Sequence, residues 1–450
     1  MTAPVPALRD IAGPPGEPTP YKDIPLLADH EEQGHDPAVR LNLGEAHQAP
    51  HPALVAAMNS VPAHAHGYLM TPYGWPALRE VLRTYITATH RLSGVAEMGV
   101  DFDVASCAGH TRSVMPDFGR LLIEEHERAR SGSPLRGLRA RVRSRRAIAV
   151  TSDFAWDYAG ALAPVGFEMR TFRVCREGLY QPDVTEVTEV LARARRETAG
   201  PVMIVINAQH NPSGAQWTPS VVRGMIRAAL AADATVLIDD AYYGVVDPGV
   251  TPTSALRILL QELRGLAPAS RPRWLAVRSL GKQFACNGWG VGSQTSSPDT
   301  LRELGERLTR RTYPGGPLEM AMAAWLGNPD SDRFLDHSNE RLATRRAEAG
   351  RLLADELGYP SDAYYVGECA TYMLIRVPPW VVAEGRDYRR LVLARAGVLL
   401  GEAHMSSPGR PPRSQGGHAR LYVGAPEEVV TGALKSMARA GMGWGKPSWR

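Results

Sequence analysis

Trp274-Leu275-Ala276-Val277-Arg278-Ser279-Leu280-Gly281-Lys282 is a short apolar run that ends on a hydroxyl and an amine. Two other stretches share this design. Val202-Met203-Ile204-Val205-Ile206 runs into Asn207-Ala208-Gln209-His210-Asn211-Pro212-Ser213-Gly214. Thr235-Val236-Leu237-Ile238 runs into Asp239-Asp240-Ala241-Tyr242-Tyr243. A fourth apolar run covers residues 147–151, and helical spacing appears at 219–232 and 255–264. Short continuous apolar strands alternating with helices predict a parallel sheet covered on both faces. Such sheets bind ligands at the carboxyl ends of their strands. One sheet edge would therefore gather an amide, a carboxylate, a phenol, a hydroxyl and a lysine. A purely structural sheet has no use for that set.

The lysine stands out on composition as well. Lys22, Lys282, Lys435 and Lys446 are the only lysines among 51 basic residues, so the other 47 are arginine. Arginine replaces lysine for solubility or ion pairing, but its guanidinium stays protonated and cannot attack a carbonyl as a neutral amine. The isolated Lys282 is therefore a nucleophile candidate, with a chance surface lysine as the alternative.

Outward from this centre, the 450 residues predict a large α/β domain over 91–330 and a smaller α+β domain over 331–450. Residues 41–90 supply the N-terminal part of the small domain and a lead-in helix at 75–91. The Pro- and acid-rich residues 1–40 read as an extended N-terminal arm. An amphipathic segment at 331–357 precedes two further apolar runs, 371–377 and 420–423. The chain is 44% hydrophobic and 22% charged, with a net charge of +4, as in an ordinary soluble protein. It has no apolar stretch of about twenty residues for a membrane span and no secretory-signal pattern at its start. Cys107, Cys175, Cys286 and Cys369 are too scattered for a disulfide framework or a CxxC metal site, so a cytoplasmic location without a metal is expected. Arg128 to Arg146 holds eight arginines in nineteen residues. With no aromatic interleaved, this segment reads as a solvated basic loop or an anion-attracting patch, not a nucleic-acid site.

Taken together, the motifs resemble those of the fold-type-I pyridoxal-phosphate enzymes, the class I/II aminotransferase family. HNPSG is similar to the family's HNPTG, IDDAYY to its D-E-x-Y element, and SLGK followed by GWGVG to its S-x-x-K…G-x-R-x-G element. The resemblance spans Gly44 to Arg420. It implies a large domain with a mainly parallel sheet flanked by helices and a smaller α+β domain. It also implies pyridoxal 5'-phosphate as cofactor and a homodimer with sites at the subunit interface. Lys282 would form the Schiff base and move the Cα proton. Asp239 would pair with the ring nitrogen, and Asn211 and Tyr242 would hydrogen-bond the ring's phenolic oxygen. Ser279, with Gly109 and His110 before a helix, would hold the phosphate. Tyr68 would reach the phosphate from the partner subunit, with Tyr73 as its competitor. Arg420 would take the substrate α-carboxylate in a bidentate fork, and Gly44 would line the substrate pocket.

This sequence departs from the family at two positions. The phosphate-gripping arginine of G-x-R-x-G is Gly290, which leaves Arg278, Arg112 or a partner's arginine to compensate. The slot for the ring that stacks on the pyridine is Ala155, flanked by Phe154 and Trp156. Aminotransfer to or from an α-amino acid, through an aldimine and a Cα carbanion, is the reaction this resemblance points to first. A β/γ-elimination, replacement or ring-forming enzyme of secondary metabolism, for example acting on S-adenosylmethionine, is the alternative. A non-catalytic ligand sensor is a distant third, since it would need a winged-helix domain that forty irregular residues do not supply.

Overall fold

The structure, a computed structural model, describes residues 23–44, 49–67, 71, 73–92, 99–107, 110–131, 146–308, 315–405 and 417–446. Among the described residues the strands are β1 (Val39–Leu41), β2 (Asp103–Ser106), β3 (Ala147–Ser152), β4 (Phe167–Phe172), β5 (Val202–Ile206), β6 (Thr235–Asp239), β7 (Trp274–Ser279), β8 (Gly292–Ser296), β9 (Tyr364–Tyr365), β10 (Tyr372–Arg376), β11 (Val398–Glu402) and β12 (His418–Tyr422). The larger sheet has seven strands in the order β2-β8-β7-β6-β5-β3-β4. Strands β4, β3, β5, β6 and β7 run parallel, while β8 is antiparallel to both β7 and β2. The sheet is thus mixed, with a parallel heart.

The apolar runs form its centre because every residue of β3, β5 and β6 is buried. Polar side chains cap the covering helices at their starts. Asp183 accepts from the Thr185 N–H before Val184–Glu197, and Ser254 accepts from the Arg257 N–H before Ala255–Leu263. Thr218 does the same, with Pro219 as the first helical residue, at Pro219–Ala231.

The second sheet has the order β1-β11-β12-β10-β9. It is antiparallel apart from the parallel β1–β11 pair, which brings residues 39–41 into the C-terminal part of the chain. The long helix Asp330–Asp355 and the helix Glu427–Arg439 cover it. The stretch expected as an extended arm is in part regular. Ile24–Glu32 is a helix with Pro25 in its first turn, and Leu27 packs against Leu393 and Leu399. Tertiary burial of one leucine outweighs the weak periodicity there. Residues 1–22 lie outside the described residues. No helix among the described residues is long and apolar enough to cross a membrane.

Candidate active site

Strands β5, β6 and β7 are neighbours and point the same way, so the loops beyond Ile206, Asp239 and Ser279 meet at one edge. A cavity of about 510 Å³ opens there. Its walls include Asn207, Asn211, Asp239, Tyr242, Ser279 and Lys282. The sheet therefore brings together the residues that the three motifs single out. Asn207, which the sequence reading left without a role, ties two of those loops. Its Nδ2 donates to the Asp239 carbonyl at 2.6 Å, and its Oδ1 accepts from the Asn211 N–H at 2.7 Å.

Asp239 is 5% exposed. Its Oδ2 accepts from the Tyr158 hydroxyl at 2.7 Å and its Oδ1 from the Ala241 N–H at 3.1 Å. Burial raises its pKa, against those two hydrogen bonds and the attraction of Lys282. A carboxylate held this way is completed by a cation in the cavity. Lys282 is half-buried on the cavity wall, with Nζ 4.9 Å from the centre of the Tyr242 ring. Burial disfavours its ammonium, but the phenols of Tyr242 and Tyr372 and the Asp239 carboxylate outweigh this and raise its pKa. Burial pushes the Tyr242 phenol the other way, yet the Lys282 ammonium and the hydroxyls of Thr371 and Tyr372 lower it on balance. Tyr242 and Lys282 are thus poised to share a proton.

Arg420, from the second sheet, reaches the cavity-lining Asn211, and Gly44, just beyond β1, lies on the cavity wall. Arg420 on β12 is 2% exposed. One of its terminal nitrogens donates to Asn211 Oδ1 at 3.2 Å and the other to the Asn42 carbonyl at 2.7 Å. Gly44 lies on the cavity wall, with its N–H donating to the Tyr372 hydroxyl at 2.7 Å.

The remaining end of the cavity has Ser279, His110, Thr111 and Arg112. The last two open the helix Thr111–Ser131, whose N-terminal dipole favours an anion. Gly109 and Tyr68 lie outside the described residues. Tyr73, the competitor of Tyr68, lies under the Arg79 guanidinium at 4.1 Å and lines a separate surface pocket. Gly290 is left-handed at φ 66°, a conformation that disfavours an arginine as well as leaving its side chain absent. Arg278 does not replace that arginine. Neighbours on a strand face opposite ways, and with Ser279 turned to the cavity Arg278 turns behind it. There its guanidinium bonds Gln283, Thr89 and Tyr85 and lies between the Tyr85 and Tyr243 rings, at 4.7 and 4.8 Å. Arg112 does line the cavity. It pairs with Asp157 at 2.8 Å and sits 4.9 Å from the Trp156 ring centre.

Trp156 is also the aromatic ring that reaches the cavity wall beside Ala155. Phe154 faces elsewhere, 4.2 Å from the His404 ring and 4.8 Å from the His418 ring. Tyr158, Asn207 and Tyr372 are site residues whose roles sequence reasoning missed, whereas Trp156 was one of the two aromatics named beside the Ala155 slot. Spacing from the motif residues was the only signal for Tyr158, and Tyr372 carried none. Tyr243 packs against His90, the two rings stacked at 3.9 Å.

The donor set fits pyridoxal phosphate. A buried carboxylate awaits a cation, a lysine faces the same space, and a serine, a helix start and an arginine form an anion end. Asn211 and Tyr242 stand between them. Among the described residues no group of His, Cys, Asp and Glu could hold a metal.

The chain is similar to known proteins. Residues 151–436 match the family "Aminotransferase class I and II". The aspartate/prephenate aminotransferase of Thermus thermophilus is 25% identical over 243 residues, 52% of this chain and 55% of that protein. The probable N-succinyldiaminopimelate aminotransferase DapC of Mycobacterium tuberculosis is 26% identical over 161 residues, 34% of this chain and 38% of its own. The chain thus spans about half the length of the first of these curated relatives and less of the second. Whole-chain likeness appears in solved structures. The T. thermophilus aspartate aminotransferase with maleate superposes with TM-score 0.71 at 20% identity, over 94% of this chain and 97% of that one. The substrate-bound BacF of Bacillus subtilis does so with TM-score 0.72 at 16% identity, over 99% and 100%. These likenesses establish the fold-type-I architecture, and the match over residues 151–436 places the chain in the class I and II aminotransferase family of pyridoxal-phosphate enzymes.

Proposed function

We propose that the protein is a pyridoxal-phosphate-dependent aminotransferase acting on an α-amino acid, and that it works as a homodimer. The observation that carries the reading is one cavity lined by buried Asp239, by Lys282 and by Asn211, whose side chain accepts a hydrogen bond from Arg420. Pyridoxal phosphate supplies an aldehyde for an amine and a protonated ring that accepts electron density from the bound amino acid. The chain supplies the rest. Asp239 keeps the ring nitrogen protonated, because a buried carboxylate gains most from a cation at its side. Asn211 and Tyr242 hold the phenolic oxygen. Ser279, His110, the backbone at Gly109 and Arg112 hold the phosphate, and Tyr68 joins them from the partner subunit. Trp156 covers one face of the ring. Arg420 binds the substrate carboxylate, and Gly44 leaves room beside it. Lys282 binds the cofactor and then carries the substrate's α-proton, with Tyr242 as its proton partner.

The test is a visible-absorbance titration of the purified holoenzyme with single amino acids, followed by product analysis. The expected result is loss of the cofactor's resting absorbance, one keto acid formed per cofactor, and recovery on adding a second keto acid. Release of ammonia without that recovery would replace aminotransfer by elimination.

A further inference from the structure

Tyr372 carries no role from any motif, yet it contacts Gly44, Arg420 and Tyr242. It lies on β10, in the second sheet, buried at 2% exposure. Its hydroxyl accepts from the Gly44 N–H at 2.7 Å. Its ring lies beneath the Arg420 guanidinium at 4.2 Å. The Tyr242 ring meets it edge-on at 6.1 Å, and the Tyr422 ring lies 5.7 Å away. Gly44 has a definite reason to be glycine, since a Cβ there would stand 2.3 Å from the Tyr372 hydroxyl oxygen. The chain has kept that oxygen and given up a side chain to do so.

We propose that Tyr372 is a positioning residue that couples the carboxylate clamp at Arg420 to the proton-sharing pair Tyr242–Lys282. This rests on the reading of the site given above. Two physical roles are separable. The ring is a face for the guanidinium, which keeps the Arg420 fork flat and turned toward Asn211. The hydroxyl faces the Tyr242 phenol and so stabilises the form of Tyr242 that has given up its proton. The charged and titratable groups facing Tyr372 are Lys282, Tyr242, Tyr422 and Arg420. Burial and the Tyr242 charge push its phenol up to about 12, against Arg420 and Lys282. It therefore stays protonated and donates. A carboxylate arriving at Arg420 cancels part of the cationic field on Tyr372, which weakens that donation and returns basicity to Tyr242.

The experiment needs no bound cofactor for its first readout. The four lysines make Lys282 individually visible by NMR once the side chains are labelled with 13C at Cε. In the cofactor-free protein Lys282 is expected to stay charged through pH 10, and in Tyr372→Phe its titration should fall by one pH unit or more. Gly44→Ala displaces the same hydroxyl from a different position and should reproduce the shift. In the holoenzyme, Tyr372→Phe should lower kcat at least tenfold with KM within threefold. Tyr372→Leu, which removes the ring too, should raise KM for the amino acid at least tenfold. If Lys282 titrates in both variants as in the parent, the coupling is overturned, whatever the enzyme's reaction proves to be. Failure of the parent to form a holoenzyme would instead reject the functional reading.

Discussion

Asp239 and Arg112 mark the two ends of the cavity, and their replacement should have opposite signatures. Asp239→Asn keeps one of the two acceptors that serve Tyr158 and Ala241 and removes the counter-charge of a protonated ring. Turnover should drop at least a hundredfold while the fold persists, as checked by single-turnover absorbance and circular dichroism. Near-normal turnover would pass the role to Asp240, whose carboxyl burial pushes up to about 8 against the pull of Arg278. Arg112→Gln should weaken cofactor binding roughly tenfold, the loss of one charge-assisted contact of about 1.5 kcal/mol, measured by equilibrium dialysis. Arg278→Gln is the control. It should lower stability through the lost contacts with Thr89, Tyr85 and Tyr243 and leave cofactor affinity within threefold. Equal losses of affinity in both variants would contradict the alternation of Arg278 and Ser279 on β7.

The turn between β7 and β8 is where local structure decides what chemistry is possible. Gly290 is left-handed, so Gly290→Arg should cost about 1–2 kcal/mol of stability and still not tighten cofactor binding. Denaturant unfolding and dialysis on the same sample check both halves. The neighbouring elements show what a sequence can and cannot disclose. β5 and β6 were legible because each is an unbroken apolar run, and a polar residue follows at the edge where ligands bind. β8 was not, since Gly292-Ser293-Gln294-Thr295-Ser296 is polar throughout yet wholly buried. Two of its side chains donate inside the sheet, Gln294 to the Ser106 carbonyl at 2.9 Å and Ser296 to that of Trp274. Burial of paired polar groups leaves no periodicity to read. The same limit applies to the site. Lys282, Asp239 and Asn211 sit in motifs that announce them. Trp156 and Tyr372 owe their places to the path of loops and to a second sheet folded across the first.

At the scale of the molecule, two sheets meet over one cavity, and the proposed dimer would put a second cavity in contact with the first. Sedimentation should give about twice the 48.9 kDa of the chain, and a monomer with full activity would remove Tyr68 from the site. The body is also sensitive to acid at a defined point. His210 stacks on Trp217 at 4.9 Å, shares hydrogen bonds with Ser213 and the Phe154 carbonyl, and is pushed by burial down to about 3. An unfolded histidine takes its proton near pH 6.5, so the stability due to the neutral ring is complete above that pH. It is lost as pH falls toward 3, by about 1.4 kcal/mol per pH unit. The stability gap between the parent and His210→Gln, from urea unfolding, should therefore narrow by that amount per unit below pH 6.5. A gap independent of pH would show that the ring charges without cost. A practical property of the surface follows from where the amines lie. Lys282 is half-buried in the cavity, while Lys435 and Lys446 are exposed in the last part of the chain. Amine-reactive reagents should therefore modify Lys435 and Lys446 ahead of Lys282.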